Sequence, residues 1–327
     1  VYRAREPAMG REVAIKILHS KLKGRADLVS RFRREARAMS QLAHPNTARV
    51  FMYGELPEDG SLYIVMEMLE GKNLNQTVRK GGPLPVERAI PILVQVCQAL
   101  HEAHQLGIVH RDLKPENIFI CQQAGMVDYP KVLDFGLAKV TEQQMRPGSL
   151  ILTQQGMVFG TPEFMSPEQA RGHTLDARSD IYSLAVILYE VLTGKLPFEA
   201  KTPMEHVSKH VTAEPIPLNQ RVPGRSFPPG LEAAVAKALA KDPQERFQTA
   251  LAFAAALSPF GQSGTTGDPP PVQPVSVVAP QAQPAPVVAA PAEGAGRSQT
   301  STLLLVALAC LVLGGLCAVL LMQLLSK

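Results

Sequence analysis

His110-Arg111-Asp112-Leu113-Lys114-Pro115-Glu116-Asn117, with Asp134-Phe135-Gly136 shortly downstream, is the stretch whose reading decides the fold. It sets a carboxylate, an ammonium and an amide within a few residues of one another, then adds a second carboxylate. Phosphoryl transfer asks for such a set: one carboxylate to orient a hydroxyl, oxygen ligands for a divalent cation, and a cation for phosphate charge.

Upstream, Val13-Ala14-Ile15-Lys16-Ile17-Leu18 is β-branched and apolar and predicts a strand. Residues 25–42 carry Leu28, Phe32, Ala36 and Met39 at near-helical spacing, which predicts a helix broken by His44-Pro45-Asn46. Arg25, Arg31, Arg33, Arg34 and Arg37 fall in that stretch and read as its solvated face. Residues 47–54 and 61–67 read as strands joined by a turn. Downstream, 86–106 predicts a long helix with Pro91 near its first turns, 118–121 and 131–133 predict short strands, and 177–193 predicts a buried helix. Further helices are expected at 203–211, 230–240 and 247–257. The pattern is a small lobe of strands with one helix, followed by a mainly helical lobe.

The chain has 327 residues, 46% hydrophobic and 19% charged, with a net charge of +4. That charge implies no large nucleic-acid footprint, so no nucleic-acid partner is expected. The four cysteines, Cys97, Cys121, Cys310 and Cys317, show no metal-ligand spacing and no disulfide framework. Residues 258–301 are rich in Pro, Ala, Val and Gln and read as a disordered linker, with a reach on the order of 100 Å. Residues 302–325 enclose the uncharged run 303–322, whose length matches a single transmembrane helix. Cys310, Gly314 and Ala318 form a small-residue stripe on that helix, which makes a homodimer a candidate.

The motif set resembles the bacterial eukaryotic-like Ser/Thr protein kinase family over residues 1–257. The resemblance implies an α+β, two-lobe kinase fold, with a small lobe over about 1–68 and a large lobe over about 72–257. It implies ATP and Mg²⁺ as cofactors, Mn²⁺ being able to replace the latter, and proteins as substrates. Asp112 would orient the substrate hydroxyl and Lys114 would neutralise γ-phosphate charge. Asn117 and Asp134 would hold the metal. Lys16 would grip the α- and β-phosphates and pair with Glu35. Met66, Glu67 and Met68 would line the adenine site, with Val1, Ala14 and Phe119 sandwiching the ring. His110 would pack under the loop, with Phe135 and Met39, rather than act as a base, and His101 and His104 lack metal-ligand spacing.

Gly160-Thr161-Pro162-Glu163-Phe164-Met165-Ser166-Pro167-Glu168 resembles the family's substrate-docking stretch. Thr161 would bond to Asp112 and Lys114, Glu168 would pair with Arg246, and Asp180 would hold the catalytic-loop backbone. Thr153, then Ser149, would be activating phosphosites, and autophosphorylation is expected. Only the end of the family's Gly-rich loop is present, at Val1-Tyr2, so sequence upstream of Val1 is expected to supply the rest. The resulting expectation is a single-pass inner-membrane Ser/Thr kinase with its catalytic domain in the cytoplasm. A pseudokinase scaffold is the alternative, and a small-molecule kinase is the weaker rival.

Overall fold

The computed structural model describes residues 1–18, 26–123, 125–135 and 161–261. All of them belong to one unit, Val1–Thr266; the linker expected from 258 starts later, because Ser258–Phe260 forms a 3-10 turn with Phe260 packed against the core, and residues 262–327, with the apolar run, lie outside the described residues.

The small lobe is a four-stranded antiparallel sheet in the order β1-β2-β4-β3, built from β1 (Tyr2–Glu6), β2 (Arg11–Leu18), β3 (Val50–Glu55) and β4 (Leu62–Glu67). Its register sets Ala14 opposite Met66 and Lys16 opposite Ile64. Helix α1 (Ala26–Met39) lays Phe32, Ala36 and Met39 into the core and leaves Arg33, Arg34 and Arg37 exposed. The apolar spacing therefore chose the buried face, as the period of a helix requires. Phe32 meets Tyr53 of β3 edge-on, with ring centroids 6.3 Å apart.

The large lobe begins with β5 (Gly71–Asn73), α2 (Leu74–Gly81) and α3 (Val86–Gln105). A second sheet, in the order β5-β6-β7, adds β6 (Ile118–Gln123) and β7 (Met126–Val132). Pro130 sits in β7, an edge strand, where a missing N–H leaves no gap in the ladder. Helices α4 (Pro167–Arg171), α5 (Ala177–Thr193), α6 (Pro203–Thr212), α7 (Leu218–Arg221), α8 (Pro229–Ala238) and α9 (Ala250–Leu257) complete it. Helix α5 is buried along nearly its whole length and forms the axis of the core.

Several boundaries differ from expectation. The strand expected from residue 47 starts at Val50, because residues 46–48 bond to β7 instead: Val132 N–H donates to Asn46 O at 2.7 Å and Ala48 N–H to Val132 O at 2.9 Å. Helix α9 starts at Ala250 rather than 247, since the Thr249 hydroxyl caps it by accepting from Ala252 N–H at 3.1 Å.

Candidate active site

The loop after α3 is held from beneath. His110 is fully buried, and its Nε2 lies 2.8 Å from the Leu133 carbonyl. A carbonyl only accepts, so Nε2 carries the proton and Nδ1 accepts from Asp112 N–H at 3.3 Å. Burial lowers the His110 pKa, outweighing the nearby Asp180, so the ring stays neutral. The ring packs 4.8 Å from Phe135.

Asp180, on α5, accepts from His110 N–H at 2.8 Å and Arg111 N–H at 3.0 Å, and lies 2.8 Å from His104 Nε2. Burial pushes this carboxyl up, but the His104 bond and the surrounding donors overcome it and the net shift is downward. Those two backbone bonds hold Arg111 at φ +66°, a conformation that costs a non-glycine residue energy and persists only when its surroundings fix it.

On that platform Asp112 and Lys114 meet. Lys114 Nζ is 3.2 Å from Asp112 Oδ2 and donates to Thr161 Oγ1 at 3.3 Å. The Asn117 amide nitrogen donates to the Asp112 carbonyl at 2.8 Å, so its free ligand group is the side-chain carbonyl oxygen. Across the cleft Lys16 Nζ pairs with Asp134 Oδ2 at 2.7 Å. Glu35, the residue expected beside Lys16, lies half-buried on α1, and Asp134 is held at φ +53°.

The stretch expected to dock the substrate is fastened at several points. Gln169 Nε2 donates to Arg111 O at 2.7 Å, and Ser183 Oγ to Phe164 O at 2.7 Å. Glu168 and Arg246 form a buried bidentate pair at 2.8 and 2.9 Å, with Ser179 Oγ donating to Glu168 at 2.6 Å. The remaining guanidinium donors reach the carbonyls of Ala240, Arg178 and Lys241, so all five N–H groups of Arg246 are used. Burial pushes the Glu168 carboxyl up, yet Arg246 and Ser179 hold it below the usual carboxylate range.

Of the residues expected around adenine, Ala14 and Met66 face each other across β2 and β4, and Phe119 lies on the second sheet opposite Asn73 and Lys131. Val1 is 83% exposed, and Met68 directly follows β4. Met66 also closes a small cavity with Met39, Asp134 and Phe135. The Glu67 carboxylate accepts from Lys131 Nζ at 2.8 Å and from Arg49 N–H at 2.7 Å. Its side chain is thus a tie between the lobes. Thr153, Ser149 and Gly136 lie outside the described residues.

Reading the sequence missed His104, Gln169, Ser183 and Lys131 as supports of the site. Gln169 carried a usable signal: Ser166-Pro167-Glu168-Gln169 is a capping box, and its reciprocal bonds are present at 3.0 and 3.3 Å.

The donor set of Asp134 and Asn117 consists of hard oxygen groups, which suits a cation such as Mg²⁺. Among the described residues no group of three or more His, Cys, Asp or Glu is placed to hold a metal ion.

A family model for the protein kinase domain matches residues 1–257. The chain is 44% identical over 257 residues to the serine/threonine-protein kinase pkn3 of Myxococcus xanthus, covering 79% of this chain and 46% of that protein. It is 44% identical over 259 residues to the serine/threonine-protein kinase PknB of Mycobacterium leprae, covering 79% of this chain and 40% of that protein. It thus spans less than half the length of either relative. A crystal structure of the Mycobacterium tuberculosis PknI kinase domain superposes with a TM-score of 0.59 at 26% identity, covering 79% of this chain and 90% of that one. The charged loop, the opposed Lys16–Asp134 pair and the Glu168–Arg246 anchor therefore sit in a two-lobe frame that places this chain in the protein kinase domain family.

Proposed function

We propose that the chain is the catalytic part of an ATP-dependent serine/threonine protein kinase that transfers the γ-phosphoryl group to protein hydroxyls. The observation that carries this reading is the cluster of Asp112, Lys114 and Thr161, joined at 3.2 and 3.3 Å. Asp112 orients the acceptor hydroxyl and takes its proton. Lys114 offsets charge on the transferred group, and its bond to Thr161 ties the docking stretch to the reacting atoms. Asn117 and Asp134 hold Mg²⁺, which supplies charge stabilisation at the phosphates when bound. Lys16 holds the nucleotide's phosphates. Thr153 and Ser149 are the proposed sites of autophosphorylation. The uncharged run 303–322 is the proposed inner-membrane anchor, with the catalytic part in the cytoplasm.

A radiolabelled-ATP transfer assay on the full-length protein tests the reading. Asp112→Asn is expected to lower transfer by about 10²–10⁴-fold, and Lys16→Met to raise the KM for ATP. Labelling unchanged by both substitutions would remove the enzyme reading and favour a scaffold.

A further inference from the structure

His210 of α6 plays no part in the proposed chemistry. It is completely buried, yet both ring nitrogens have partners. Nε2 lies 3.0 Å from the Glu163 carbonyl, and Nδ1 lies 2.9 Å from the Tyr182 hydroxyl of α5. The carbonyl can only accept, so Nε2 carries the proton. The bare Nδ1 then accepts from Tyr182 O–H. The ring meets Phe198 edge-on at 5.0 Å and Tyr182 at 5.6 Å, which fixes its plane. Lys241 Nζ stands 4.3 Å from the Phe198 ring centroid, on the other member of the same aromatic cluster. Burial first, and the charge of Lys241 in addition, push the His210 pKa down to about 3, so this donor–acceptor arrangement is the one present at neutral pH.

Glu163 follows Thr161 by two residues, and Thr161 is where Lys114 Nζ reaches the docking stretch. The next carbonyl, that of Phe164, is held by Ser183 of α5. Two consecutive carbonyls of the stretch are therefore fixed by donors from two different helices, and His210 is the donor from α6. With both nitrogens satisfied by partners on separate elements, the buried ring links the Glu163 carbonyl to Tyr182 of α5.

We propose that His210 is a positioning residue for the protein substrate, holding the Thr161–Met165 stretch where an acceptor hydroxyl meets Asp112. The consequence for transfer rests on the kinase reading, whereas the anchoring of the stretch does not.

Two measurements on the full-length protein separate these. Hydrogen exchange over residues 161–166 reads the anchoring itself, and steady-state transfer reads its effect. His210→Phe keeps a ring but loses both bonds. It is expected to speed exchange in that stretch and to raise the KM for a protein substrate about tenfold, the size of one lost buried hydrogen bond, with the KM for ATP within about twofold of the parent. His210→Gln, whose amide can donate near the Nε2 position, is expected to recover most of both. Tyr182→Phe, which removes one hydroxyl and keeps the packing, serves if His210→Phe fails to fold, and is expected to shift the same two readouts by less. Unchanged exchange in these variants, or an equal rise in both KM values without rescue by Gln, overturns the proposal. Faster exchange in His210→Phe, with a parent that transfers no phosphate, supports the anchoring and sinks the kinase reading instead.

Discussion

Glu190, on α5, shows how far burial and neighbours can move one carboxyl. Burial, then the negative charges of Glu116 and Glu163, push its pKa up to about 7 against the pull of Arg79. Its ordinary value is 4.5, so between about pH 4.5 and 7 the folded protein holds a proton that the unfolded chain releases. Stability therefore falls as pH rises through that window, by about 3 kcal/mol at most, and is level below it. Glu190→Gln should raise the melting temperature at pH 8 and leave it nearly unchanged at pH 4; an equal shift at both values would show that ionisation is not the cause. Arg246 is the opposite case. With all five donors matched, its charge is fully compensated, and the pair it forms with Glu168 is tolerable in a dry interior only for that reason.

At the scale of elements, β5 depends on Gly71. Its φ of +151° suits glycine alone, and a Cβ there would fall on the Ile120 carbonyl. Gly71→Ala should part β5 from β6, destabilise the fold by about 2–4 kcal/mol in urea titration, and raise the KM for ATP, since β6 begins next to Asn117. An unchanged unfolding midpoint would contradict this. Legibility followed the same physics. Helix α1 was readable because Phe32, Ala36 and Met39 repeat at the helical period and are buried for it. Strand β1 was not, because neither of its faces is buried and its alternation has nothing to report. The site split likewise. Asp112, Lys114, Asn117 and Asp134 were legible because chemistry demands those residue types at close spacing. The supports were hidden because they meet across the chain: Lys131 reaches Glu67 over a separation of 64 residues, and His104 reaches Asp180 over 76.

For the whole molecule, the tail is a question of solvent. Among the described residues no helix is long and apolar enough to cross a membrane. The uncharged run 303–322 is long enough on sequence grounds, since about 20 residues at about 1.5 Å each match a bilayer core. The full-length protein should stay with membranes through a carbonate wash, and deletion of 303–322 should release it; an intact protein already in the soluble fraction would refute the anchor. Within the unit that carries the site, the lobes are tied at several points, including Glu67 to Lys131 and the backbone bonds of residues 46 and 48 to Val132. One more tie has a mechanical meaning. The Glu102 carboxylate of α3 accepts from Ala43 N–H at 3.2 Å and His44 N–H at 2.9 Å, just past the C-terminal end of α1. That tether makes α1 a lever with its fulcrum against the large lobe. A tilt of about 5° carries its far end about 1.7 Å, but moves Glu35, about 6 Å from the fulcrum, only about 0.5 Å. A swing at the tip, where Asp27 lies, leaves Glu35 at almost the same address.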